Sequence, residues 1–181
     1  MTSLAELHFD ADTTAVLMID IQNDYQDVQN FATFRRNVQK CRRWAQRTHP
    51  TMKICHVFEV DNTNSHWLAV WEELHGRPRP LDTGTPFPFS RPRKGEPTFI
   101  KNGYDAFFET TLHDYLQQHN IRTLIVCGLL TGVCVLNSVF GAFNRGYRVI
   151  LVGNCCSDRT KTRHESTLRQ YKNYLFRVVD I

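Results

Sequence analysis

A cysteine, a lysine and an aspartate are the side chains of this sequence that together could attack a carbonyl carbon. The cysteine is Cys134, in "LLTGVCVLNSVF", where an apolar run passes through Thr131 and Gly132 into a helical pattern. A thiol in the first turn of a helix meets unpaired backbone N–H groups and the positive end of the helix dipole, which favours thiolate. The same N–H groups can hold the oxyanion formed when sulfur attacks a carbonyl. A carboxylate in reach could take the thiol proton and later return it to a leaving amine. Asp20 ends the apolar run "AVLMID" and Lys101 ends "PTFIK", so both types are available at the ends of other runs. Each has a plainer reading alone: Cys134 as a small buried hydrophobe, Asp20 as a cap, Lys101 as a surface lysine. Cys127 lies inside the run "TLIVCGLL" and is expected in the core.

The elements that must position these residues show in the hydrophobic pattern. Apolar runs recur at 15–19, 53–58, 97–100, 123–130, 148–152 and 175–179, most of them continuous, as in strands covered on both faces. Helical periodicity fills 29–47, 105–119, 132–145 and 162–173. This alternation predicts one α/β domain over 1–181, a doubly wound three-layer sandwich with a mainly parallel sheet of about six strands. Ligands in such sheets lie outside the carboxyl ends of the strands. Asp20, Lys101 and Cys134 are expected there.

The connection 59–97 is long and carries six of the seven prolines. Within it, "SHWLAVWEELHG" predicts a short helix with Ser65 as cap and Gly76 near its end. His66, Trp67 and Trp71 are candidates for a pocket wall, the alternative for the indoles being packing on the body of the domain. Tyr25 and Phe31, after Asp20, are further candidates.

The formal net charge of +4 is scattered rather than concentrated. In "FRRNVQKCRRWAQR", Phe34, Val38, Cys41 and Ala45 form one stripe, so the basic residues are expected on a solvated face and no nucleic-acid partner is expected. No apolar run is long enough for a membrane span, and "MTSLAELHFDADTTAV" lacks the pattern of a signal peptide. The six cysteines show no zinc spacing, and several stand inside apolar runs. Reduced thiols in the cytoplasm are expected, with Cys155 and Cys156 as packing residues.

Four blocks, in order, resemble the isochorismatase-like cysteine hydrolases. "AVLMIDIQNDY" is similar to the family's opening Asp-x-Gln-x-Asp-aromatic signature, and "FIKNGYDAFFETTLHDYL" to its lysine segment. "VCGLLTGVCVLNSVFGAFNRGYRVILVGNCCSDR" resembles its nucleophile segment, and "RHESTLRQY" its late His-x-x-x-Leu helix. The resemblance implies Cys134 as nucleophile, Asp20 as general base and Lys101 as the residue that stabilises the thiolate. It implies a non-proline cis peptide joining Leu129 to Leu130, with the N–H groups of Leu130 and Cys134 as oxyanion hole. Gln22, in the first block, joins the substrate-binding candidates. The implied reaction is cleavage of a small amide, ureide or imide through a thioester, without cofactor, in a dimer or tetramer. Nicotinamidases of this family add a metal on Asp-x-His; here Asp61 is followed by Asn62 and Thr63, so no metal is expected. The rival readings are an interaction protein that has lost catalysis and a thiol redox protein.

Overall fold

The segments "TAVLMI" and "TLIVCGL" have no exposed position, and they form the two central strands, β1 (Thr14–Ile19) and β4 (Thr123–Leu129). The computed structural model describes residues 2–181 and sets these strands in a six-stranded sheet of order β3-β2-β1-β4-β5-β6. Every neighbouring pair is parallel. The other strands are β2 (Lys53–Glu59), β3 (Thr98–Lys101), β5 (Arg148–Ser157) and β6 (Arg177–Val179). Helices α1 (Phe31–Thr48), α2 (His66–His75), α3 (Leu112–Gln118), α4 (Leu136–Asn144) and α5 (Lys161–Tyr171) flank the sheet. The doubly wound three-layer architecture expected from the pattern is the one found. Strand order reverses direction between β1 and β4, which opens a crevice at their carboxyl ends. Among the described residues, no helix is long and apolar enough to cross a membrane.

Three elements differ from the sequence expectation. The α3 pattern over 105–119 yields helix only from Leu112, because side chains compete for the backbone before it. Asp105 accepts from the Phe107 N–H, the Thr110 hydroxyl donates to the Ala106 carbonyl, and Glu109 turns left-handed at φ 54°. Strand β5 runs on through Cys155 and Cys156, both buried, with a register irregularity against β4 between Val126 and Gly128. Arg42 leaves the solvated face expected of α1 and is 5% exposed, since it falls on the same stripe as Phe34, Val38, Cys41 and Ala45.

Arg42 is buried against Glu96, and this pair anchors the 59–97 connection. Glu96 also meets the His56 Nε2 at 2.9 Å and accepts from Gln46 Nε2 at 2.9 Å. Burial would raise the Glu96 carboxyl, but His56, the Arg93 N–H and Arg42 outweigh it and hold it at about 2. A carboxylate depressed in the folded state contributes stability above its unfolded value, 4.5, and loses it as the pH falls toward 2. Glu96→Gln is therefore expected to cost on the order of 2–3 kcal/mol at neutral pH. In urea unfolding the gap from the wild type should narrow between about pH 5 and about pH 3. A pH-independent gap would show that the charge of Glu96 is not the anchor.

Candidate active site

Three parallel strands lying side by side end in three ionisable residues. Glu59 and Lys101 are register partners at the ends of β2 and β3. Asp20 follows β1 and turns at once into the left-handed region (φ 48°), its N–H donating to the Val57 carbonyl at 2.9 Å. All three side chains are wholly buried. The Lys101 ammonium stands 2.9 Å from Asp20 Oδ2 and 3.0 Å from Glu59 Oε2, and donates to the Gly103 carbonyl at 2.6 Å.

The fourth strand delivers the sulfur. Gly128 has φ 145°, and a Cβ there would stand 2.0 Å from the Ile19 carbonyl oxygen, so only glycine lets β4 approach β1 this closely. The Leu129–Leu130 peptide is cis, as the resemblance implies. Thr131–Val135 then forms a π-helical turn ahead of α4, and Cys134 sits in that turn rather than in the first turn of the α-helix. Two contacts fix the turn: the Gly132 N–H donates to Asp158 Oδ2 at 2.9 Å, and the Thr131 hydroxyl meets His164 Nδ1 at 2.8 Å. The Cys134 thiol donates to Glu59 Oε2 at 3.4 Å, and ligand atoms of Asp20, Glu59 and Cys134 all lie within 4.8 Å of one another.

Burial reverses the expected charge on the sulfur. It pushes the Cys134 thiol well above its usual value, and Asp20 and Glu59 push the same way while Lys101 opposes them. Burial and the two carboxylates thus favour the protonated sulfur. Lys101 would be lowered by burial, but Asp20, Cys134 and Glu59 outweigh this and keep it charged. Burial raises Asp20 to about 7; Lys101 opposes and the Glu59 charge adds to the rise. Neither Asp20 oxygen has an aligned hydrogen-bond donor, although the ammonium is close. A buried carboxylate so placed has a high affinity for a proton. Cys127, by contrast, is enclosed in β4 beside Cys41 of α1.

Above the sulfur lies a cavity of about 830 Å³ lined by Cys134, Leu130, Tyr25, Trp71, Tyr104 and Arg79, among others. Of the candidates for substrate contact, Tyr25 and Trp71 reach it, whereas Gln22, Phe31, His66 and Trp67 lie outside its lining. Gln22 is a clamp: its side chain bonds the Glu59 N–H and carbonyl, each at 3.0 Å. Phe31 packs on Phe87, ring centroids 4.9 Å apart, and His66 is exposed. Trp67 donates to Asn102 Oδ1 at 3.1 Å and carries the Arg79 guanidinium over its ring at 4.9 Å.

Glu59, Arg79 and Asp82 escaped the sequence reading. The run read as 53–58 ends one residue later, so Glu59 obeys the strand-end rule that picked out Asp20 and Lys101. Arg79 and Asp82 lie in an aperiodic segment and carry no such signal. Arg79 pairs with Asp61, with Asp82 at 2.8 Å and with Glu59 at 3.4 Å. Oxygens of these three acids lie within 4.8 Å of one another, and the guanidinium is the cation they share. A nicotinamidase-type metal does not fit a space that Arg79 fills.

The isochorismatase domain family matches residues 14–181. The isochorismatase family protein YddQ of Bacillus subtilis is 28% identical over 155 residues, covering 82% of this chain and 79% of that protein. The maleamate amidohydrolase of Pseudomonas putida is 34% identical over 77 residues, 42% of this chain and 36% of that protein. In structure, a cysteine hydrolase from Pseudomonas syringae superposes with a TM-score of 0.84 at 17% identity, over 97% of this chain and 92% of that one. A domain match over nearly the whole chain, agreeing with the sheet order and the order of the motifs, makes this protein a member of the isochorismatase family of hydrolases.

Proposed function

We propose that the protein hydrolyses a C–N bond of a small amide, ureide or imide through a thioester on Cys134. The observation that carries this reading is the buried cluster of Asp20, Lys101 and Cys134 beneath a cavity of small-molecule size. The partial likeness to maleamate amidohydrolase supports an amide substrate. Sulfur attacks the carbonyl carbon, the oxyanion is held by the N–H groups of Leu130 and Cys134, the nitrogen leaves, and water hydrolyses the thioester. Asp20 serves as general base, and Lys101 holds the charges of the cluster in place. The reaction uses no metal and no cofactor. The resemblance to the family extends the proposal to a cytoplasmic dimer or tetramer with no nucleic-acid or membrane partner.

The test is ammonia release from a panel of small amides, ureides and imides, nicotinamide included, with and without chelator. Release that disappears in Cys134→Ala and survives the chelator is expected. Release that persists in Cys134→Ala, or silence across the panel, counts against the reading.

A further inference from the structure

Helix α5 lies against the turn that carries the sulfur, yet it buries none of its own residues. Leu168 and Tyr171 pack partly against the core, and nearer its start the helix meets the turn through polar groups. The His-x-x-x-Leu stretch of this helix therefore has a use that core packing does not supply. Through Nδ1, His164 shares a 2.8 Å hydrogen bond with the hydroxyl of Thr131, a residue that is 1% exposed. The turn backbone runs close by: a Cβ on Gly132 would stand 3.0 Å from Thr167 Oγ1. At its start the turn closes on Leu130, whose carbonyl accepts the Val133 N–H at 3.0 Å and the Val135 N–H at 3.2 Å. Gly132, Val133 and Val135 have no hydrogen-bonding side chain, so the Thr131 hydroxyl is the one side-chain tether of the turn apart from the sulfur. Burial holds the imidazole below its usual 6.5, against Asp158 and Glu165, so the ring is neutral at neutral pH. The bond supplies direction rather than charge.

We propose that His164 is a positioning residue: through Thr131 it keeps the N–H groups of Leu130 and Cys134 aimed together at the oxyanion. Thr131 directly follows Leu130, and Cys134 lies three residues on in the same turn. A turn that pivots at Thr131 moves one N–H group relative to the other. Such donors act only within a narrow range of distance and angle, so a displacement of about 1 Å costs much of their effect. The inference rests on the thioester reading, since an oxyanion forms only where the sulfur attacks a carbonyl.

Two electrophiles separate aim from reactivity. With p-nitrophenyl acetate the sulfur attacks a carbonyl, an oxyanion forms, p-nitrophenolate leaves and the acetyl group stays on sulfur. Iodoacetamide alkylates the same sulfur by displacing iodide, with no oxyanion. Both reactions are followed on the full-length protein at neutral pH, with Cys134 identified as the site by mass spectrometry. His164→Ala is expected to slow acylation by about thirtyfold while changing alkylation by less than about threefold. His164→Asn, whose amide reaches the position of Nδ1, should return acylation to within about threefold of the wild type. His164→Gln, whose amide reaches the position of Nε2, should not. Thr131→Val should reproduce the loss, and adding His164→Ala to it should cost less than about twofold more, because both remove one bond. Acylation of His164→Ala at the wild-type rate, equal slowing with both electrophiles, or effects that multiply in the double variant overturn the inference. Should His164→Ala fail to fold, the Asn and Gln variants decide it, and equal acylation rates in the two overturn it. Wild-type protein that iodoacetamide labels at Cys134 but p-nitrophenyl acetate does not would instead sink the thioester reading itself.

Discussion

Cys134→Ala is expected to lower kcat on the amide substrate by on the order of 10⁴-fold or more, whereas Cys127→Ala should leave kcat within about twofold. Both thiols are almost fully buried, at 2% and 1% exposure, so accessibility to solvent does not separate them. Their neighbours do. Cys134 has a carboxylate at 3.4 Å, an ammonium that links the two carboxylates beside it, and a cavity above it. Cys127 has apolar strand neighbours and the thiol of Cys41. Loss of its sulfur leaves a small void, costing roughly 1–2 kcal/mol, read as a lower midpoint in urea. A Cys127→Ala protein that is stable yet inactive would invert this assignment.

Lys101→Met should be nearly as damaging to turnover and far more damaging to stability. Methionine fills most of the space of the lysine stem but leaves Asp20 and Glu59 buried without their shared cation. Removing one partner of a buried ion cluster costs about 3–5 kcal/mol, and losing a charge that stabilises the reacting groups costs about 10²–10³-fold in kcat. The stability loss carries a pH signature. Burial already raises Asp20 against the opposition of Lys101, and without the lysine it binds its proton more tightly still, so the variant loses stability as the pH rises from the unfolded Asp value, 3.8, toward the folded one. Unfolding midpoints should therefore recover between about pH 7 and about pH 5 in Lys101→Met, and by more than any change in the wild type. A pH-independent loss would show that methionine disrupts packing rather than charge balance.

Much of this molecule is legible in one dimension. Strands β1 and β4 are continuous apolar runs because both of their faces are covered, and that pattern requires only adjacent residues to be seen. The doubly wound pattern puts Asp20 and Lys101 at strand carboxyl ends, where the sheet sets them on either side of β2, and Gly-x-x-Thr-x-x-Cys marks the turn that carries the sulfur. The short helix α2 follows from Ser65 and Gly76, the latter left-handed at φ 63° as a helix-ending glycine should be.

The state of the site depended on distances the sequence does not contain. Cys134 was expected to favour thiolate, because helix dipole and lysine both act in that direction; the dry interior and two carboxylates reverse the balance. Arg42 sits in a basic cluster yet is buried, because Glu96, far along the chain, waits opposite it. Trp67 and Trp71 share one helix, but only Trp71 lines the cavity, while Trp67 turns its face to Arg79. Hydrophobic period is a local property, so the sequence by itself determined the fold class and the strand ends. Protonation, ion pairing and access depend on which groups meet across the sheet and how much water is excluded there. Only the tertiary structure decided those, and with them the place of Glu59 at the sulfur.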